Sequence, residues 1–149
     1  MEKLYINFDT VIDTKEGLDL TPTTYALNAQ FKAFYEQFEK QFNIIIYGSE
    51  NTQNNGKKKA FLQANLGAKF YDNNPLVLDK NSIQIDYVTS ALETSAKIKI
   101  LYKFDGNFGW QKHYENKNIF TVNNWEQAGE ILSFFSLYNY DNLSKKGAV

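Results

Sequence analysis

The sequence predicts an α/β domain built around a mainly parallel sheet, and three observations predict it. Strand-type segments alternate along the chain with amphipathic helical segments, which is the order that yields crossover connections. Several strand segments are short, continuous apolar runs; Asn43-Ile44-Ile45-Ile46-Tyr47 is the clearest, and such a run marks a strand buried on both faces. The chain has 149 residues, 43% of them hydrophobic and 16% aromatic, enough for one domain with a sizeable core. A charged fraction of 22% argues against disorder.

The first strand is expected over residues 3–12, an apolar run whose polar tip carries Asn7 and Asp9. From Tyr25 the pattern turns helical: Leu27, Phe31, Phe34, Tyr35, Phe38 and Phe42 recur at three- and four-residue spacing, with Thr23 or Thr24 available as a cap. This aromatic stripe is read as a helix packing on the sheet. After the 43–47 strand comes a polar loop reaching Gly56. A second helix opens at Lys57-Lys58-Lys59 and stops at Gly67. Residues 68–80 are read as a short strand, a turn at Asn73-Asn74-Pro75 and the apolar run Leu76-Val77-Leu78; further strands are expected over Ile83–Val88, Lys97–Tyr102 and Ile119–Val122, with a helical turn from Thr89 to Thr94. Asn123 or Asn124 caps a final helix with Trp125, Ala128, Ile131, Leu132 and Phe135 on its apolar face. Residues 1–140 are expected to form one α/β domain, and 141–149 a polar tail. In such sheets ligands bind at the strand C-termini, where Asn7, Asp9, Ser49, Asp86 and Ser90 would gather.

Composition removes several functions. There is no cysteine, which excludes disulfides, thiol nucleophiles and zinc-thiolate sites. A net charge of −1 supplies no global field for duplex nucleic acid or an anionic membrane. No run approaches the roughly 20 apolar residues of a membrane span, and no long apolar h-region stands near the start, so a cytoplasmic chain is expected. All 16 basic residues are Lys, and Asn occurs 17 times; this bias suits an AT-rich genome, such as a low-GC bacterium or its phage. No planar, bidentate phosphate clamp exists without Arg. Gly48 and Gly56-Lys57 are spaced wrongly for a P-loop. His113, the only histidine, sits in a polar segment and is read as solvated. Phe108 and Trp110 in a Gly-rich loop suit packing or base stacking. Asn142-Leu143-Ser144 matches a glycosylation acceptor, which matters only in a secreted chain.

Two stretches carry a resemblance. Residues 4–13 are similar to a segment of the type hydrophobic-Tyr-Ile-Asp-x-Asp-Gly-Val-Leu. Ile100 to Phe104, then Asn107, then Val122-Asn123-Asn124-Trp125-Glu126 resemble a strand, a loop Asn and an Asn-Asn-Trp-Glu helix start. Together they resemble the haloacid-dehalogenase-like (HAD) phosphatases, and within them the small 5'(3')-deoxyribonucleotidase group. The resemblance implies a three-layer, Rossmannoid sandwich with a minimal cap or none. It also implies roles that this chain fills only in part. Asn7 stands where the family's Asp attacks phosphorus and binds Mg²⁺; a neutral carboxamide is a poor nucleophile and a weaker ligand for a hard cation. Asp9 matches the general acid/base, and Thr10 replaces the usual Gly. Tyr47 falls in the register of a phosphate-binding Ser or Thr, with Ser49 the nearest hydroxyl. Lys58, Lys59 and Lys80 are candidates for the phosphate lysine. The acidic pair of the metal corner becomes Ser90-Ala91 in one register, and Asp86 is the surviving acid in the other. Losing a nucleophile together with metal ligands costs on the order of 10⁴ in rate by analogy with triad knockouts. The expected function is therefore a catalytically degenerate nucleotidase-like module that binds a nucleotide, a phosphate or a protein. The alternative is a Mg²⁺-dependent phosphatase using Asp9 and Asp86.

Overall fold

The computed structural model describes residues 2–13, 25–48, 54–72, 78, 80–104 and 119–138. Its strands are β1 (Glu2–Asn7), β2 (Phe42–Tyr47), β3 (Phe70–Tyr71), β4 (Ile83–Asp86), β5 (Ile98–Tyr102) and β6 (Ile119–Val122), and its helices α1 (Ala29–Phe38), α2 (Asn55–Leu66) and α3 (Trp125–Tyr138). The strands form one sheet of order β3-β2-β1-β4-β5-β6, and every pairing is parallel. The chain is thus an α/β protein with an all-parallel sheet. It runs outward from β1 through β2 to β3, then returns to place β4 on the other side of β1. That reversal makes the C-terminal ends of β1 and β4 the topological switch point, where a doubly wound sheet opens a crevice.

Period-two geometry sorts the side chains. Leu4 and Ile6 of β1 lie beside Ile44 and Ile46 of β2 and Ile83 and Ile85 of β4, which in turn lie beside Ile98 and Ile100 of β5. This face is buried under α1, α3 and Leu62 of α2. Among the described residues Trp125 is the largest fully buried side chain, its ring 4.7 Å from Phe31, 4.8 Å from Phe34 and 5.2 Å from Tyr102. The opposite face presents Tyr5, Asn7, Tyr47, Gln84 and Asp86. Over it lies the 3-10 turn Thr89–Leu92, whose Ala91 carbonyl accepts a bond from Gln84 and whose Leu92 is fully buried. The sheet is thus the middle of three layers, the third supplied among the described residues by this crossover. No helix among them is long and apolar enough to cross a membrane.

Element ends differ from the sequence expectation where polar side chains intervene. The first strand stops at Asn7, not residue 12, because the Asn7 side chain accepts from the Asp9 amide at 2.8 Å and turns Phe8–Thr10 into a 3-10 turn. The first long helix starts at Ala29, not Tyr25. Asn28 is its cap, accepting from the Phe31 amide at 2.9 Å, while Leu27 forms an antiparallel bridge with Ile12. Phe42, the last residue of the helical pattern, opens β2. Thr23, Thr24, the Asn73-Asn74-Pro75 turn and the Phe108–Trp110 loop lie outside the described residues. The last helix is capped by Asn124, which accepts from the Gln127 amide, while the Gln127 side chain accepts from the Asn123 amide.

Gly67 ends α2 in the left-handed region at φ 63°, and its amide bonds back to the Gln63 carbonyl at 3.1 Å. Space for a side chain is open there, so the conformation alone decides the cost. Gly67→Ala is expected to lower stability by about 1 kcal/mol, read from the urea midpoint at unchanged slope.

Candidate functional site

The site grows from two polar strand ends brought together by the topology. Asn7 closes β1 and Asp86 closes β4, strands that pair Ile6 with Ile85 one residue earlier. The Asn7 Nδ2 donates to Asp86 Oδ2 at 3.1 Å. With Asn7 Oδ1 committed to the Asp9 amide, the amide orientation is set: the N–H end faces the carboxylate. Tyr47, at the end of β2 and in register with Asn7, also donates its hydroxyl to Asp86 Oδ2. Oδ1 accepts from the backbone amides of Tyr87 at 2.6 Å and Val88 at 2.9 Å. Four donors therefore use both oxygens of a carboxylate that is completely buried.

The surrounding groups are tied in as well. Gln84 donates to the Tyr47 hydroxyl at 3.0 Å and to the Ala91 carbonyl at 2.8 Å, and accepts from Thr94 at 2.7 Å. Tyr87 donates to Asp9 Oδ2 at 2.7 Å. Thr10 donates to the Asn7 carbonyl at 2.7 Å, and the indole of Trp125 donates to the Thr10 carbonyl at 2.9 Å. Burial pushes the Asp86 carboxyl above its ordinary range, and the bonds from Tyr47, Val88, Asn7 and Tyr87 pull it down without cancelling that push. Burial first, then the Asp86 charge and the bond donated to it, holds the Tyr47 phenol well above its usual value. Burial and then the Asp9 charge raise Tyr87 likewise. Both phenols stay protonated at neutral pH and remain donors.

This donor set is poorly suited to a hard divalent cation. Mg²⁺ needs oxygen ligands in near-octahedral array, and the chemistry at Asp86 is N–H and O–H donors. Among the described residues no three His, Cys, Asp or Glu side chains cluster as a metal-binding group.

The lysine candidates separate by position. Lys58, in the first turns of α2, is half-buried, with Nζ 5.4 Å from the Phe8 ring centroid. It also lies 3.7 Å from where a Cβ on Gly48 would stand, which puts it at the ends of β1 and β2. Lys59 is exposed on the same helix. Lys80 is exposed in the turn before β4, at the amino-terminal edge of the parallel sheet and so away from Asn7 and Asp86. Three residues before Lys58, Asn55 is buried, and among the described residues neither its Nδ2 nor its Oδ1 has a hydrogen-bond partner. Ser49 and His113 lie outside the described residues. Of the two registers for the acidic motif, Asp86 is the residue beside Asn7; Ser90 is exposed in the following turn.

The sequence marks Asn7, Asp9 and Asp86 as polar strand ends and puts Tyr47 in the register of a Ser or Thr, where a hydroxyl is expected. Tyr47 supplies one, delivered to Asp86 instead of to a ligand. Gln84, Tyr87 and Thr94 were not singled out. A signal was available: Gln84 and Asp86 sit two apart inside an otherwise apolar strand, which puts both on one face and calls for a buried polar network. No protein-family model matches this chain, and no curated protein matches it.

Proposed function

We propose that this chain is a catalytically degenerate nucleotidase-like protein of the HAD type that works as a binding module. The observation that carries this reading is the Asn7–Asp86 bond. The amide of Asn7 turns its N–H to Asp86 and its oxygen to the Asp9 backbone, so the centre consumes its own polar groups. No attacking carboxylate points outward from β1. The mouth of the crevice is different: Lys58 supplies a cation beside the ends of β1 and β2, in the first turns of α2, where backbone amides also favour anions. A phosphate or nucleotide phosphoryl group suits that chemistry; a protein partner is the other ligand class. A cytoplasmic location and an origin in a low-GC bacterium or phage fit the composition.

The test is phosphate release from p-nitrophenyl phosphate and deoxynucleoside monophosphates with Mg²⁺. No turnover above that of Asp9→Ala is expected. Turnover abolished by Asp9→Ala would overturn the reading in favour of a Mg²⁺-dependent phosphatase using Asp9 and Asp86. Calorimetric titration with the same nucleotides and with inorganic phosphate tests the ligand, with binding expected in the parent and lost in Lys58→Ala.

A further inference from the structure

We infer that Asn55-Gly56 is a self-modification site, where the Asn55 carboxamide converts to a carboxylate and changes the charge at the start of α2. The conversion goes beyond the binding reading and stands whether or not the crevice holds a phosphate. Of the 17 asparagines, Asn55 is the only one followed by glycine. The pairing matters because the attacking atom is the backbone nitrogen of the following residue, and glycine has no Cβ to hinder its approach.

The fold leaves this pair able to react. Asn55 is the first residue of α2 and Gly56 the second. The Asn55 side chain is not tied down: among the described residues neither Nδ2 nor Oδ1 has a hydrogen-bond partner. The first amides of an α-helix have no acceptor within the helix, and the Asn54 side chain makes no capping bond. Gly56 is exposed, with nothing within 4 Å of where a Cβ would stand, so its N–H is open to solvent base. Interior helical geometry holds a backbone nitrogen away from the preceding carboxamide, but an uncapped first turn opens at little cost. Burial of Asn55 does not block ring closure, because the two reacting groups are neighbours in the chain.

In the reaction the Gly56 nitrogen gives up its proton and bonds to Asn55 Cγ. The Cγ–Nδ2 bond breaks, ammonia leaves with that proton, and a five-membered succinimide closes. Water then adds to one ring carbonyl. Attack at Cγ breaks its bond to the Gly56 nitrogen and gives aspartate; attack at the Asn55 backbone carbonyl gives isoaspartate. One water is consumed, one ammonia is released and the chain gains one negative charge, with no change of oxidation state. The carboxylate forms where the helix dipole favours it, and Lys58 stands three residues on, within reach of a pair along the helix. Such a pair withdraws the Lys58 cation from the crevice, so the converted protein binds an anion less well; this consequence, unlike the conversion, rests on the phosphate reading.

The experiment is incubation of the folded chain at mildly alkaline pH, followed by cleavage at lysine and mass spectrometry. The peptide spanning residues 41–57 is expected to gain the mass difference between NH₂ and OH, with fragmentation placing it at Asn55 as aspartate and isoaspartate. The folded rate is expected within about tenfold of the rate in urea, because fraying helix ends open at a cost near zero. Gly56→Ala has room for its methyl and is expected to suppress the conversion in the folded and the unfolded chain alike. A folded rate more than about tenfold below the unfolded one, earlier conversion at another Asn, or an equal rate in Gly56→Ala overturns the inference. Calorimetry with inorganic phosphate reads the consequence. Asn55→Asp is expected to bind about twofold more weakly than the parent, or weaker still, the size of a charge pair along a helix; equal binding would overturn the link to Lys58. No phosphate binding by the parent would overturn the phosphate reading, while the mass result still decides the modification.

Discussion

Asn7→Asp is expected to destabilise the protein by about 3 kcal/mol at pH 7, the cost of an uncompensated charge in a buried site. The Asn7 Nδ2 donates to Asp86 Oδ2 at 3.1 Å. Replacing that donor by an oxygen sets two carboxylates against each other where neither reaches water. One must stay protonated, so its value in the folded protein rises above the unfolded carboxylate value of about 4. The native state then binds a proton that the unfolded chain has released at neutral pH. Stability must therefore increase as pH falls from 7 toward that unfolded value, and be lost as pH rises through the folded one. The parent has the same sign in weaker form, since burial already raises Asp86. Urea melts of parent and variant from pH 7.5 to 5 measure the effect: the gap between them should narrow as pH falls. Equal stabilities at pH 7.5 would contradict the Asn7–Asp86 contact. On the proposed nucleotidase-like reading this substitution supplies the nucleophile type, yet no phosphatase activity is expected from it, because the other groups at Asp86 remain donors.

Trp125→Ala is expected to cost about 4 kcal/mol. The indole is 1% exposed and contacts Phe31, Phe34 and Tyr102, so truncation opens a cavity where α1, α3 and β5 meet. A second loss is polar. Trp125 Nε1 donates to the Thr10 carbonyl, and Thr10 in turn donates to Asn7, so the same side chain supports the turn after β1. Trp125→Phe separates the two terms. It keeps most of the packing and deletes the donor, with an expected loss of about 1–3 kcal/mol. Denaturant midpoints at constant slope give both numbers. A Phe variant as stable as the parent would show that the bond to Thr10 contributes nothing net.

The fold was largely legible because its signals are local. The apolar run at the second strand, the 3.6-period stripe carrying Phe31, Phe34 and Phe38, and the Gly67 stop each need only neighbouring residues. Boundaries were less legible. The sequence pattern turns helical from Tyr25 and carries its apolar stripe from Leu27 to Phe42, yet Leu27 pairs with Ile12 and Phe42 starts β2. Apolar spacing is blind to a cap such as Asn28, whose side chain decides where the helix begins. The candidate site was legible as a set of positions and not as a set of bonds. Asn7 and Asp86 are 79 residues apart, and nothing in either segment says that one donates to the other.

The sequence by itself therefore determined the α/β class, the parallel sheet and the amide at the end of β1, since these follow from periodicity and residue identity. Only the tertiary structure decided how that amide is used. The strand order sets β4 beside β1, β2 delivers the Tyr47 hydroxyl under Asn7, and the crossover brings Thr94 and the Ala91 carbonyl to Gln84. A buried carboxylate must find donors wherever the fold can supply them. Here the fold supplies four, and that long-range accounting makes the end of β1 a closed hydrogen-bonded joint.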